Sequence, residues 1–408
     1  MERIIFAIDV GTTKVCTLVG EVQAGGALRI TGVGVAPSRG LDKGTVVDVQ
    51  QATSAIRASV QEAGRISGVE IERAFVGVSG LHIASVNSRG TTVVSRSTRG
   101  VNEGDVARSL ESAQTIAVPY SHGILHAIPR SYALDGQNNI RNPIGMYGHR
   151  LEVEAHLVTA ASTSTTNLVK CVQGAGGEVE NLVLQSLASG EAVLTEEERE
   201  SGVVLVDIGG GTTDVAIFLD GSVWHSAVIG VGGQSITNDL VICLQMPTQA
   251  AEELKIRCGH AEPAEISEGE TVDIAGFGDQ SRRTISRRLL AEIIEARVER
   301  IFAQVGKEIK RSGYSGLLPA GVVLCGGSAQ LGGMRSVARR ILGMPVRIGS
   351  PQGVRGLVDV VSNPAYACSV GLLEWARLYG DKDAGNKRAS SSGWSGRLRS
   401  LMNIFLPG

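Results

Sequence analysis

The feature that most constrains the fold is an apolar run that ends in an aspartate and three glycines. Residues 203–206 are apolar, and a second apolar run covers residues 215–219. Between them stand Asp207, Gly209, Gly210, Gly211, Thr212, Thr213 and Asp214. An apolar run bounded by glycines is typical of a buried strand. Glycines let backbone N–H groups approach an anion closely, so the stretch predicts a strand, a phosphate-binding turn and a second strand.

The aspartates beside this turn indicate a metal ion. A Walker-type loop would carry a lysine and open a helix, and this stretch has neither. Carboxylates repel phosphates unless a cation lies between them. Mg²⁺ is the natural candidate, because it is bound by few carboxylates together with phosphates. The alternative is a glycine-rich hairpin on the surface.

The same pattern opens the chain. An apolar run ends in Asp9, and another begins at Val15. Between them lie Gly11, Thr12, Thr13 and Lys14. We therefore expect a duplicated half-molecule whose two turns face each other across a cleft, with Lys14 at the position that Asp214 has in the second copy. A lysine and carboxylates together suit a triphosphate with its metal.

A third glycine-rich strand end follows later in the chain. The apolar residues 321–325 precede Gly326, Gly327 and Ser328, and a helix is expected from about Leu331. A glycine pair after a strand lets a ring or a sugar lie against the backbone.

These three motifs, in this order and at roughly this spacing, resemble the actin-like ATPase superfamily. Within it the chain is most similar to the FtsA family of bacterial cell-division proteins, over residues 1 to about 378 and in its tail. Residues 184–190 and 363–371 resemble the two connecting motifs of the superfamily. The resemblance implies ATP and Mg²⁺ as cofactors, with Asp9 and Asp207 holding the metal through water.

The resemblance also implies roles for further residues. Gln185 would position the attacking water beside Asp9 and Asp207; because an amide does not readily take a proton, ATP hydrolysis would at most be slow. The alternative for Gln185 is a polar cap at a strand end. Glu252 and Lys255, three apart on a predicted helix, would hold ribose and adenine, or else form a solvated ion pair. Gly232 and Gly233 precede a helix whose N-terminus could face phosphate.

The expected fold class is α/β and actin-like, with two duplicated α/β domains around a nucleotide cleft and an α+β insert. The expected divisions are 1–82 with 162–201 for the first domain, 83–161 for the insert, 202–230 with 313–379 for the second domain, 231–312 for its upper subdomain, 380–393 for a flexible linker, and 394–408 for a terminal helix.

Two regions are expected to bind partners. The insert resembles the FtsA-specific subdomain and would contact other division proteins. A long helix is predicted over residues 284–312 with a basic start, and the resemblance implies that this region receives the C-terminal peptide of FtsZ. The candidate arginines are Arg282, Arg283, Arg288 and Arg297. A basic surface fits an acidic, hydrophobic peptide; the alternative is a solvated charged face.

The tail predicts a membrane anchor. Residues 381–393 are polar and rich in Ser and Gly, which is typical of a flexible linker. At about 100° per residue, Trp394, Leu398, Leu401, Met402 and Phe405 share one side of a helix. Arg397 and Arg399 add positive charge. A short basic amphipathic helix is typical of an anchor on an anionic membrane surface; the alternative is a helix that folds back on the body.

Composition narrows the remaining possibilities. The net charge is -2, so no nucleic-acid partner is expected. Six scattered cysteines without a Cys-x-x-Cys pair indicate reduced thiols and no zinc site. No apolar run reaches the ~18 residues of a membrane span. We expect a filament-forming protein on the cytoplasmic face of the plasma membrane, at the division septum. The alternatives are a PilM-like pilus-assembly ATPase and a small-molecule kinase of the same superfamily.

Overall fold

The computed structural model describes residues 3–95, 100–115, 118–276 and 282–384. The elements up to residue 161 are β1 (Arg3–Val10), β2 (Lys14–Val22), β3 (Leu28–Pro37), β4 (Leu41–Asp42), β5 (Thr45–Val46), α1 (Val49–Ser67), β6 (Arg73–Val78), β7 (Ile83–Val93), α2 (Glu103–Ala113), β8 (His122–Leu134), β9 (Gln137–Ile140) and β10 (Arg150–Ala161).

The second part of the chain alternates helices and strands. Its elements are α3 (Ser162–Gly174), β11 (Glu178–Leu184), α4 (Gln185–Val193), α5 (Glu196–Ser201), β12 (Val203–Ile208), β13 (Thr213–Leu219), β14 (Ser222–Ile229), α6 (Gly233–Leu244), α7 (Thr248–Cys258), β15 (Thr271–Ala275), β16 (Arg282–Ser286), α8 (Arg287–Ser312), β17 (Val322–Cys325), α9 (Met334–Leu342), β18 (Val346–Ile348), β19 (Arg355–Gly356), α10 (Val358–Val361) and α11 (Ala367–Ala384). Short 3-10 turns lie at Pro263–Glu265, Gly327–Gln330 and Pro364–Tyr366.

Two related sheets form the halves of the molecule. The first has the order β11-β6-β1-β2-β3-β19 and the second the order β14-β13-β12-β17-β18. In each, a central strand pairs antiparallel with the next strand in the chain and parallel with a later one. The apolar residues of β1 and β12 are mostly buried, as expected for central strands. The predicted α/β class with two related halves is confirmed.

The strand register corrects one expectation about the two turns. Asp9 pairs with Cys16, and Asp207 pairs with Asp214, so both hairpins have the same length. The Gly11 N–H donates to the Lys14 carbonyl at 3.0 Å, and the Gly209 N–H donates to the Thr212 carbonyl at 2.9 Å. Lys14 therefore matches Thr212, and the match of Lys14 with Asp214 is wrong.

A pair of helices joins the halves. The last helix, α11, lies on β1, β2 and β6 of the first sheet, and α4 packs against α11 while contacting β12, β13 and β17 of the second. β19 likewise pairs with β3. The expected second domain included all of residues 313–379. Because α11 packs on the first sheet, the second half ends before α11 begins.

The insert is a four-stranded antiparallel sheet with the order β7-β10-β8-β9, and α2 covers one of its faces. The helix begins with a capping box, in which the Asn102 and Asp105 side chains each accept from the other's backbone N–H. The insert also touches the second half. Ser85 Oγ donates to the Ser226 carbonyl at 2.7 Å, and the buried His156 ring lies between Asn87 and Ser226.

Three expected element boundaries are wrong. The long helix begins at Arg287, because residues 282–286 form β16 and pair with β15, and the Ser286 side chain caps the helix by accepting from the Arg288 N–H. The helix expected from Leu331 begins at Met334, after a 3-10 turn. The last helix continues to Ala384, five residues into the linker expected at residues 380–393. Within the described chain, no helix is both long and apolar enough to cross a membrane.

A substitution at Gly371 tests how closely α11 packs against α4. A Cβ at this position would lie 1.8 Å from the Ala188 carbonyl oxygen, so Gly371→Ala must push α11 away from α4. We expect a loss of about 1–3 kcal/mol in the free energy of unfolding, in the range of overpacked cores, measured by urea denaturation. Gly25→Ala is the control, since a Cβ there meets nothing within 4 Å. Equal stability of the two variants would contradict the close packing.

Candidate functional site

The two glycine turns meet between the halves. The first turn comprises residues 11–13 and the second residues 209–212. A Cβ on Gly210 would lie 2.3 Å from Thr13 Cγ2, and one on Gly211 would lie 2.6 Å from Thr12 Oγ1. The backbone of the second turn therefore rests directly on the threonines of the first. The glycines are needed here for this close approach.

The α4–α11 pair holds the aspartates that precede both turns. Gln185 Nε2 donates to Asp9 Oδ1 at 3.0 Å, and Ser369 Oγ donates to Asp9 Oδ2 at 2.8 Å. One helical turn after Gln185, Ser189 Oγ donates to Asp207 Oδ2 at 2.5 Å. Gln185 and Ser189 share a face of α4, so this single helix contacts the aspartates of both halves.

Asp214 is a third carboxyl of this region and is 3% exposed. Its oxygens accept hydrogen bonds from Ser79 Oγ at 2.5 Å and from Thr212 Oγ1 at 3.0 Å. Ser79 directly follows β6 of the first sheet. A side chain from each half therefore holds Asp214.

These carboxyls carry charge that the protein only partly compensates. Burial raises the pKa of Asp9, raises that of Asp207 to about 6 and raises that of Asp214 to about 7. The negative charge of Asp9 also raises the pKa of Asp207, and the negative charge of Asp207 raises the pKa of Asp214. Lys14 lowers the pKa of Asp9 and Asp207, but less than burial raises them. The site would therefore be stabilised by a bound cation.

Lys14 is tied to the segment before α11. Its Nζ donates to the Ala365 carbonyl at 2.6 Å and lies 3.6 Å from the centroid of the Tyr366 ring. The lysine thus links the first turn to the region that also provides Ser369.

The predicted adenosine residues lie together beside the second turn. Lys255 Nζ donates to Glu252 Oε2 at 2.7 Å and to the Gly233 carbonyl at 3.1 Å. Ser328 Oγ donates to the Gly209 carbonyl at 3.0 Å. A Cβ on Gly233 would lie 2.4 Å from Ser328 Oγ. This group of residues therefore adjoins the second turn.

The glycines around this group fit closely against the turn and Asp207. The Gly233 N–H donates to the Gly209 carbonyl at 2.9 Å, so the start of α6 rests on the second turn. Cβ atoms on Gly232 and Gly326 would lie 2.6 Å from the Gly210 carbonyl oxygen and 2.3 Å from Asp207 Oδ1. Gly327, the next residue, begins the 3-10 turn after β17.

Five residues of this region were missed by sequence reasoning. They are Lys43, Ser79, Ser189, Thr237 and Ser369. Ser189 and Ser369 lie inside the two connecting motifs, and Ser189 is one helical turn from Gln185, so spacing could have found it. Thr237 hydrogen-bonds Glu252 and Lys255. Lys43 lies at the tip of the β4–β5 hairpin, and a Cβ on Gly211 would lie 3.0 Å from its Cα; no sequence pattern indicated that contact.

The other predicted sites lie elsewhere. Arg283 belongs to β16 and Arg288 to the first turn of α8, and both residues are exposed. Arg282 also belongs to β16. Arg297 donates two hydrogen bonds to Asp239, at 2.5 and 2.6 Å, so its guanidinium is engaged within the chain. The predicted membrane residues, from Trp394 to Phe405, lie outside the described residues.

Sequence comparison assigns the family. The family described as "Cell division protein FtsA" matches residues 204–371, and "SHS2 domain inserted in FTSA" matches residues 80–159. The cell division protein FtsA of Pseudomonas aeruginosa is 45% identical over 393 residues, covering 96% of this chain and 94% of that protein. The chain belongs to the FtsA family. FtsA of Escherichia coli K12 is 36% identical over 412 residues, covering 98% of each chain. Membership of FtsA favours cell division over pilus assembly and small-molecule phosphorylation.

Solved structures agree on the fold. The "PilM-PilN type IV pilus biogenesis complex" superposes with a TM-score of 0.65 at 15% identity, covering 90% of this chain and 97% of that one. MreB5 of Spiroplasma citri bound to ADP superposes with a TM-score of 0.58 at 14% identity, covering 94% and 99%. At these identities the likeness shows the fold alone, and it is the actin-like fold expected for this chain.

The buried carboxyls predict a pH dependence of stability. Because the pKa of Asp214 is raised from 3.8 to about 7, this carboxyl holds its proton in the folded chain but loses it in the unfolded chain between about pH 4 and 7. The contribution of Asp214 to stability should therefore fall as pH rises through this window, by at most about 1.4 kcal/mol per pH unit.

Asp214→Asn tests this dependence. It should remove this falling contribution, so the slope of the free energy of unfolding against pH should become more positive between about pH 4 and 7, measured by urea denaturation without Mg²⁺ or nucleotide. Asp359→Asn, which changes an exposed carboxyl on α10, is the control and should leave the slope unchanged. An unchanged slope in Asp214→Asn would refute the raised pKa.

Proposed function

We propose that the chain binds ATP and Mg²⁺, polymerises under the inner membrane and tethers the FtsZ ring there through its C-terminal amphipathic helix. The observation that carries the nucleotide part is the meeting of two glycine turns, the first preceded by the buried Asp9 and the second by the partly buried Asp207, with Lys14 beside the first. Membership of the FtsA family supports the role in cell division.

The turns supply the donors for phosphate. Backbone N–H groups of Gly11, Gly209, Gly210 and Gly211, the hydroxyls of Thr12, Thr13, Thr212 and Thr213, and Lys14 would hold the triphosphate. Asp9 and Asp207 would hold Mg²⁺ through water, and Asp214 would add negative charge nearby. The raised pKa values of these carboxyls fit this assignment, because a cation would relieve their repulsion. Bound Mg²⁺ would supply charge neutralisation for the phosphates.

Adenosine would lie on the group beside the second turn. Glu252, Lys255, Gly326, Gly327 and Ser328 would hold the ribose and adenine. Gly232 and Gly233 at the start of α6 would face the phosphates. Gln185 would orient a water molecule, since its amide already donates to Asp9. An amide orients water without taking its proton, so the chain would at most be a slow ATPase.

Filament formation gives the tail its physical purpose. One short amphipathic helix binds a membrane weakly, but many copies in a filament bind strongly. The apolar side would comprise Trp394, Leu398, Leu401, Met402 and Phe405, and Arg397 and Arg399 would face anionic headgroups. The C-terminal peptide of FtsZ would bind near Arg282, Arg283, Arg288 and Arg297. The insert would bind other division proteins.

Lys14→Ala tests the phosphate contact. Loss of a charged donor to phosphate should weaken Mg-ATP binding about 10- to 100-fold, measured by isothermal titration calorimetry. Lys170→Ala removes an exposed lysine on α3 and should bind like the unchanged chain. Equal affinity of both variants would remove Lys14 from the site.

Co-sedimentation with vesicles containing phosphatidylglycerol tests the tether. With Mg-ATP, the full chain should pellet and bring FtsZ with it, and a chain ending at Ala384, the last residue of α11, should not. Leu398→Glu should abolish sedimentation, because it places a charge on the apolar side. Ser400→Glu, on the polar side, is the matched control and should retain most of it. Sedimentation of the truncated chain would contradict the anchor.

A further inference from the structure

His126 connects the insert to the candidate site. It lies on β8 of the insert sheet and is 1% exposed. Its Nε2 accepts a hydrogen bond from the Leu184 N–H at 3.0 Å. Leu184 is the last residue of β11 and the residue before α4. An insert side chain therefore touches the junction that precedes Gln185.

The sheet order explains why this contact is needed. Among the residues that the structure describes, β11 is the edge strand of the first sheet and pairs only with β6 there. Alternate N–H groups of an edge strand face away from its neighbour and lack a ladder partner. Leu184 is completely buried, so an unpaired N–H would cost about 1–3 kcal/mol. His126 provides the missing acceptor.

The contact defines the chemical form of the ring. Since Nε2 accepts, the proton of the neutral imidazole is on Nδ1. Nδ1 has no hydrogen-bond partner within the described part of the chain. Burial lowers the pKa of His126 to about 3, so the ring stays neutral. The ring packs edge-to-face with Trp375 of α11 at a centroid distance of 5.5 Å. His126 thus contacts α11 and the residue that precedes α4.

We propose that His126 is a positioning residue, which fixes the β11–α4 junction so that Gln185 and Ser189 meet Asp9 and Asp207. The inference deepens the proposed function, and its effect on nucleotide binding rests on it. The path is short and continuous: from His126 to the Leu184 N–H, and from there along α4 to Gln185 and Ser189.

Three variants of His126 separate positioning from simple packing. His126→Gln keeps an acceptor at about the reach of Nε2 and should behave like the unchanged chain. His126→Leu fills similar space without an acceptor. If His126→Leu does not fold, His126→Asn replaces it, because its shorter side chain does not reach Leu184. His122→Leu, on the same strand, is the control.

Two readouts by nuclear magnetic resonance do not depend on nucleotide. In His126→Leu, the Leu184 amide should exchange with solvent at least about tenfold faster, and the side-chain amide signal of Gln185 should shift. Both should stay unchanged in His126→Gln and His122→Leu. An unmoved Gln185 signal in His126→Leu, or equal disturbance in His126→Gln, would overturn the proposal.

Mg-ATP affinity then tests the functional consequence. We expect a loss of about tenfold in His126→Leu, as for one lost hydrogen bond, and none in His126→Gln. If the unchanged chain bound no ATP, the proposed function would fail, while the two resonance readouts would still decide the positioning role. If ATP bound equally to both variants although the Gln185 signal had moved, the link from positioning to the nucleotide would be wrong.

Discussion

The close packing of α4 against α11 is the contact on which the rest of the site depends. Gly371 leaves no room for a side chain against the Ala188 carbonyl, so the two helices touch at their backbones. That contact sets Gln185 and Ser369 on the two oxygens of Asp9 and sets Ser189 on Asp207. Since α11 lies on the first sheet and α4 also meets the second, the pair fixes the distance between two aspartates that belong to different halves.

The buried carboxyls give the same region its chemistry. Burial and mutual repulsion raise their pKa values, and Lys14 offsets only part of the charge. Such an arrangement costs stability in the free protein and favours a cation when one binds. The insert is hydrogen-bonded to both halves. His126 contacts the β11–α4 junction of the first half. Ser85 and His156 bond to Ser226 of β14 in the second half, and Asn87 bonds to the His156 ring. A movement of one half relative to the other must therefore disturb the insert as well.

Much of this could be predicted from the sequence, for definable reasons. The turns can be predicted because an apolar run, an aspartate and glycines follow one another directly in the sequence. The same pattern occurs twice, which predicts an α/β fold with two related halves. The start of α8 was misjudged because Arg282–Ser286 fits either a helix or a strand, and pairing with β15 decides it. Ser79 and His126 were invisible, because their roles arise from contacts between segments far apart in the chain. The expected alignment of Lys14 with Asp214 is wrong for another reason. It depends on how the two hairpins superpose, and the strand register places Lys14 at the position of Thr212.

The most direct test of the account is a crystal structure of the full chain with Mg²⁺ and the non-hydrolysable ATP analogue AMPPNP. The account predicts phosphate density between the two glycine turns, a metal separated from Asp9 and Asp207 by water, and the adenosine against Lys255 and Ser328. Nucleotide bound elsewhere, or phosphates that contact only one of the two turns, would contradict the claim that the duplicated hairpins form a single site.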